Sequence, residues 1–468
     1  MPGDATRRDF LARSAAAVLA AGGLYELVDG LAAPARAAAA AAALPAEQHL
    51  LMDVPVITDN GVQVLVPPLH HQLVTAKLRI GRTEAALRGA QRELEQALKA
   101  IDRSFAPTPS GLGLVVAWGL PYFRRYVAGP WASHAPRDLR ANGPALLDAI
   151  RFPSDPTSAR LEQNDLVVHL RSDSLAHIAQ GSHAIFDRLA GMFQVTSIRK
   201  GFVGGGFTGK RSLPKQMAVK ARVPGALRIP DDAQLFLGFT STQQSALGPD
   251  AIANLETLPG LTDQWPDGYF RNGTTMHVSH LYLDLEQWYR EFDFDERTWA
   301  AFRPGLKVPT TTRTLPEDAA QATEVADVVA DFRTTGLSGH SSALQPATRL
   351  DADTVGNYGT AYPKGTPVIQ RPDFNTLDSP FAWTSDPSRD RWSPRPSAGL
   401  HFIGFAPTSD TFHRARLAMD GHYADGTVLS DNPRSARHGF NAVLQTTHRQ
   451  NFLVPPRRHR SFPLAELL

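Results

Sequence analysis

Short apolar segments of strand length alternate with single amphipathic helical patterns, and the same order occurs twice along the chain. That order constrains the fold strongly, because a strand–helix–strand unit followed by another has few ways to bury one face of its sheet. The clearest helix runs from Arg82 to Ile101, with Leu87, Ala90, Leu94, Leu98 and Ile101 on one stripe and Arg, Glu and Lys opposite. Val62 to Ile80 reads as strand material interrupted by Pro67-Pro68. Leu112 to Trp118 and Asp165 to Leu170 read as buried strands, and Phe193 to Ile198 as a closing strand. A second helix is expected from Ser174 to Ala190, with Ile178, Ile185 and Leu189 inward. Together these predict an α+β fold whose first half is ferredoxin-like.

The second half repeats the order with longer insertions. Gln234 to Phe239 is expected as a strand, and Met276 to Asp284 alternates as a half-buried strand should. A helix from Leu285 to Phe302 would carry Trp288, Tyr289 and Trp299. His340 to Phe374 is polar and turn-rich, without helical or strand period. Gly399 to Phe405 is expected as a core strand, and Ser409 as the cap of a helix through Met419.

The N-terminal residues read as an address. Thr6-Arg7-Arg8-Asp9-Phe10-Leu11 is a twin-arginine pattern, an Ala-rich run follows, and Ala35-Arg36-Ala37 is a cleavage candidate. Residues 1–37 are therefore expected to be a signal peptide, with halves at 38–210 and 211–468 and an exported, periplasmic, extracellular or envelope location. No later apolar run suffices for a bilayer span, so none is expected after signal cleavage. The chain has no cysteine, which excludes disulfides, thiolate zinc sites and iron–sulfur clusters. A formal net charge of +2 leaves no footprint for nucleic acid.

Several residues invite a functional reading. His340, set among small residues, is a candidate metal ligand, and Arg371, leaving a short apolar run, is a candidate for a buried anionic oxygen. His277 and His280 are three apart, so on a strand they face opposite ways and do not share a metal. Gly204 to Arg211 has the glycine–lysine spacing of a phosphate loop. Arg211 stands where Ser or Thr must ligate magnesium, and Ser212-Leu213-Pro214 does not announce a helix, so an irregular linker is the better reading.

The segment order resembles the dye-decolourising peroxidase superfamily. The likeness rests on Asn164 to Asp173, Arg199-Lys200-Gly201-Phe202, Leu237-Gly238-Phe239, Gly273 to Asp284 followed by Trp288, Val368-Ile369-Gln370-Arg371, and Gly399 to Phe405. The segments Gly273 to Ser279 and Asn451 to Ser461 are similar to a divergent, twin-arginine-exported branch. The resemblance implies two ferredoxin-like (βαββαβ) halves in a dimeric α+β barrel-like fold, with haem b in the C-terminal half. It implies His340 as the iron ligand, its other ring N–H held by an acceptor, and Arg371 as the distal arginine. Asp373 falls where some members place an Asn, and His280 and Phe405 are implied as neighbours of the cofactor. Ser241 stands where the superfamily keeps an Asp that shuttles a proton; a serine hydroxyl cannot act as that base, though Ser241, Gln243 or Gln244 could orient a water. The implied activity is oxidation of a small-molecule or polymeric reductant by hydrogen peroxide, in a chain that could form a homo-oligomer, with Trp288 and Trp299 as candidate radical relays. The alternative is a haem-binding or haem-delivery protein with little turnover.

Overall fold

A computed structural model describes residues 24–29, 31, 44–204, 211–309, 315, 324–378 and 396–468. The twin-arginine motif and the cleavage candidate lie outside the described residues, as does Lys210 of the glycine-rich stretch.

The N-terminal half contributes strands β1 (His70–Leu78), β2 (Gly113–Gly119), β3 (Arg160–Leu161), β4 (Leu166–Ser172) and β5 (Phe193–Phe202). Helix α1 (Glu84–Ser104) connects β1 to β2, and α2 (Leu175–Ser182) follows β4. The C-terminal half contributes β6 (Thr274–Leu283), helices α3 (Leu285–Glu291), α4 (Phe294–Ala301) and α5 (His340–Thr348), β7 (Phe374–Thr376), β8 (Gly399–Ala406), α6 (Ser409–Met419) and β9 (Leu444–Val454).

The pairing order is β6-β8-β7-β5-β1-β4-β2-β9-β3, and β6 also pairs with β9, so eight antiparallel strands form a closed ring. Within it, β5-β1-β4-β2 and β7-β8-β6-β9 each have the ferredoxin-like order. The halves join where Asn375 meets Phe202 and where Phe452 and Leu453 meet Gly119 and Trp118. This is the expected α+β barrel-like architecture, with helices packed outside.

Local chemistry accounts for the elements. Thr83 accepts the Ala86 N–H at the start of α1, and the five residues of the predicted stripe are all buried. They pack on Val74, Val116 and Val168, which face outward from the sheet. The alternate residues Leu73, Val115, Val167, Met276, Val278, Ile403, Phe405 and Phe452 meet inside the ring. The last residues return to the first half: Phe462, Leu464 and Ala465 lie in its core, and Trp118 Nε1 donates to the Arg460 carbonyl at 2.9 Å.

Several expected elements need correction; the helix expected through Ala190 is α-helical only to Ser182 and continues as a π-helical turn, His183–Asp187. Gln234 to Phe239 is a turn-rich loop, because Trp288 Nε1 and Tyr289 Oη hold the Leu237 and Phe236 carbonyls and Gly238 turns with φ 92°. The single helix expected over Leu285 to Phe302 is broken at Phe292, where Asp293 and Glu296 form a capping box that starts α4. Ser212 does cap a helix, Leu213–Lys220. The helix of residues 409–419 takes Thr408 as its N-cap and Ser409 as its first residue. The stretch after Gly339 opens as helix α5 despite Pro346.

Residues 24–29 dock across the junction of the two halves. Tyr25 is 2% exposed, and its hydroxyl accepts the Leu377 N–H at 2.9 Å and lies 3.1 Å from both the Lys200 carbonyl and Asp378 Oδ1. Asp29 Oδ1 sits 2.6 Å from His70 Nε2. Among the described residues, no helix is long and apolar enough to cross a membrane.

Candidate functional site

A cavity of about 250 Å³ lies between the outer face of the C-terminal half of the sheet and its helices. Its floor is Ser279, Leu281, Leu400, Phe402, Leu444 and Thr446, the outward residues of β6, β8 and β9. Helix α5 brings His340, Leu344 and Thr348, and α6 brings Phe412, Ala415 and Met419. The loop 235–246 and the segment 367–373 close the sides.

Seven separated stretches of sequence therefore meet here, and three of them carry predicted site residues. Ser241, Gln243, His340, Arg371 and Asp373 all line the cavity. His280 and Phe405 do not. They alternate with Ser279 and Phe402 and so point into the ring. His277 faces outward as expected of a residue three from His280, but both of its nitrogens are engaged, by Asn451 Oδ1 and Ser279 Oγ, and its ring stacks on Phe412 at 3.4 Å.

His340 is fixed by glycines. A Cβ on Gly339 would come 2.2 Å from the Phe302 carbonyl oxygen, and one on Gly439 would come within 3.0 Å of His340 backbone atoms. The imidazole packs on Phe440 with ring centroids 4.7 Å apart. Burial, with the charges of Arg371 and then Arg416, lowers its pKa to about 3, so the ring is neutral. The expected acceptor for its other ring N–H is not found among the described residues, where Nδ1 has no hydrogen-bond partner.

The cavity is rich in cations. Arg371 Nη2 donates to the Ala246 carbonyl at 3.4 Å, and Arg349 Nη1 to the Gly365 carbonyl at 2.7 Å. Arg416 and Arg449 are compensated by Asp155, and Arg416 also by Asp420. Asp373 is the contrasting group, 8% exposed, with Oδ1 unpartnered. Burial pushes its pKa up to about 6 against the opposing pull of Arg371. The Gln243 amide is committed to the Leu315 carbonyl, and Gln244 is exposed. Trp288 is wholly buried and holds the 235–241 loop, a packing role.

Sequence reasoning missed Arg349, Arg416, Arg449, Phe402, Phe412 and Phe440. The outward phase of β8 carries a signal for Phe402; the arginines carry none, since a charged residue on a helix, a strand or a helix end usually means solvent.

The fold is that of DyP-type peroxidases. The chain is similar to a DyP-type peroxidase protein from Shewanella oneidensis, with a TM-score of 0.50 and 14% identity over 84% of this chain and 94% of that one. Others include a DypB variant from Rhodococcus jostii RHA1 in complex with heme (TM-score 0.49, 16% identity, 89% and 98% covered) and the encapsulated DyP-type peroxidase from Mycobacterium smegmatis (0.47, 15%, 84% and 95%). No curated protein matches the sequence. The chain belongs to a family of unknown function (DUF7405), whose model matches residues 68–456.

Proposed function

We propose that the chain is an exported haem peroxidase, with His340 as iron ligand and Arg371 as the cation facing bound peroxide. The observation that carries this reading is the convergence of His340, Arg371, Ser241 and Asp373 on one apolar-walled cavity. The donor set suits a flat, dianionic tetrapyrrole. His340 offers a neutral imidazole with an orphaned nitrogen, Leu281, Phe402, Phe412 and Phe440 offer apolar surface, and Arg349 is a cation available to a propionate. Lacking an acceptor for Nδ1–H, His340 would be a less basic ligand than one paired with a carboxylate.

Bound haem would supply the redox chemistry by which peroxide is reduced and a donor oxidised. Arg371, always protonated, orients the peroxide and stabilises negative charge developing on its outer oxygen. The apolar walls exclude bulk water and so strengthen that interaction. The twin-arginine motif supports export, with halves at 38–210 and 211–468. Processing after Ala37 would remove the segment that carries Tyr25.

The direct test is the absorption spectrum of the purified protein after haem loading, where the absence of a Soret band sinks the reading. Replacing Arg371→Leu is expected to leave haem content unchanged and slow the reaction with peroxide by about 100-fold or more. A variant within twofold of wild type argues against that role. Ser241 favours a second reading, a haem-binding or haem-delivery protein with little turnover, since its hydroxyl does not titrate near neutrality. A haem-loaded wild type inert to peroxide selects that one.

A further inference from the structure

We propose that Asp373 is the acid–base group of this cavity, carrying the proton that the superfamily entrusts to a carboxylate at the place of Ser241. The inference rests on the peroxidase reading and deepens it.

Its first support is placement. Gln370 exchanges two backbone hydrogen bonds with Phe405, at 2.9 and 2.8 Å, and Phe374 pairs with His401 in β7. The intervening residues are therefore pinned at both ends, and Pro372 fixes its own φ. Arg371 and Asp373, two apart on this segment, both line the cavity, whereas Pro372 does not. Cation and carboxyl are thus presented to the same space by one rigid stretch.

The second support is the state of the carboxyl. Buried carboxylates ordinarily accept hydrogen bonds, and one left without them is costly unless it serves a purpose. Asp155 and Asp420 show the ordinary case, each bound to buried arginines. Among the described residues Asp373 Oδ1 is buried without a partner, and the one hydrogen bond to its carboxyl comes from its own backbone. The charged or titratable groups sharing its cavity are Arg371, Arg349, Arg416, Arg449 and His340, and the last stays neutral. Burial keeps Asp373 close to half-protonated near pH 6, where it can both take and return a proton. Ser241, lining the same cavity, cannot.

The step is a proton relay within one hydrogen peroxide molecule. Asp373 as carboxylate takes the proton from the oxygen nearer the cofactor and returns it to the outer oxygen. That oxygen would leave as water with the O–O bonding pair, while haem held by His340 would supply the two electrons that peroxide takes up and recover them from the donor. Because the carboxylate form is needed first, the rate should rise with pH through about 6.

The test uses the haem-loaded full chain. Asp373→Asn keeps size and hydrogen-bonding capacity and is expected to retain haem while reacting with peroxide about 100-fold or more slowly, without the pH limb near 6. Adding Ser241→Asp to that variant moves a carboxylate back to the other wall and is expected to restore much of the rate. Independently of turnover, the infrared C=O stretch of a protonated carboxyl should titrate near pH 6 in wild type and vanish in Asp373→Asn. A reactive wild type with an equally reactive Asp373→Asn overturns the assignment alone. So does a retained infrared band. A haem-loaded wild type inert to peroxide overturns the peroxidase reading, and this inference with it.

Discussion

Acidification from about pH 7.5 to about pH 5 is expected to destabilise this fold, through imidazoles rather than carboxylates. His49, His71, His169, His280, His401 and His448 are all buried in or against the ring, and burial lowers the pKa of each, that of His49 to about 3. The neighbouring charges of Arg171 and Arg199 push several further down. In the unfolded chain these rings titrate near 6.5, so below that pH the unfolded state binds protons that the folded state refuses.

Each such histidine destabilises the fold by about 1.4 kcal/mol per pH unit below 6.5, or roughly 8 kcal/mol per unit for six. Asp373 and Asp378 act in the opposite sense. Their folded pKa values are raised to about 6, so between that pH and about 4 they return roughly 3 kcal/mol per unit. A net loss of about 5 kcal/mol per unit is large beside the 5–15 kcal/mol of a typical fold. Denaturant midpoints measured across this range should collapse below pH 6.5; a flat profile would show that the rings are not held neutral.

Replacing His340→Ala is expected to abolish stable haem retention, while His277→Ala is not. Both imidazoles are buried, and the difference lies in what their nitrogens already do. Those of His277 are both spoken for, whereas His340 stands at the cavity with Nδ1 unpartnered. Loss of a metal ligand should exceed the roughly 10–100-fold that loss of an outer partner costs. Haem per chain and the ligand-field bands check this, with added imidazole expected to restore them in part. A His340→Ala protein with normal haem content and spectrum refutes the ligand assignment.

Much of the architecture is legible from local patterns. The stripe of α1 and the alternation of β6 are set by neighbours in sequence, and both appear where the pattern puts them. The loop around Leu237 was not legible, because its apolar residues look like a strand until Trp288 and Tyr289 claim its carbonyls. At three residues, β7 is too short to show a period. Of the candidate site, His340, Arg371, Ser241, Gln243 and Asp373 do come together. His280 and Phe405 turn away for a reason the sequence contained, since each alternates with a residue that faces the cavity. The burial of Asp373 and the clustering of Arg349, Arg416 and Arg449 depend on contacts between distant segments, which no local pattern reports.

The return of the C-terminus to the first half has a consequence for biosynthesis. The Tyr122 hydroxyl donates a hydrogen bond to the Pro463 carbonyl, and Gln48 bridges the carbonyls of Val116 and Pro455. The part of the chain made first therefore has a finished interior only once residues 455–465 have emerged. A nascent chain stalled short of Pro455 would leave Trp118 and Tyr122 facing water, in the care of whatever holds unfinished polypeptides.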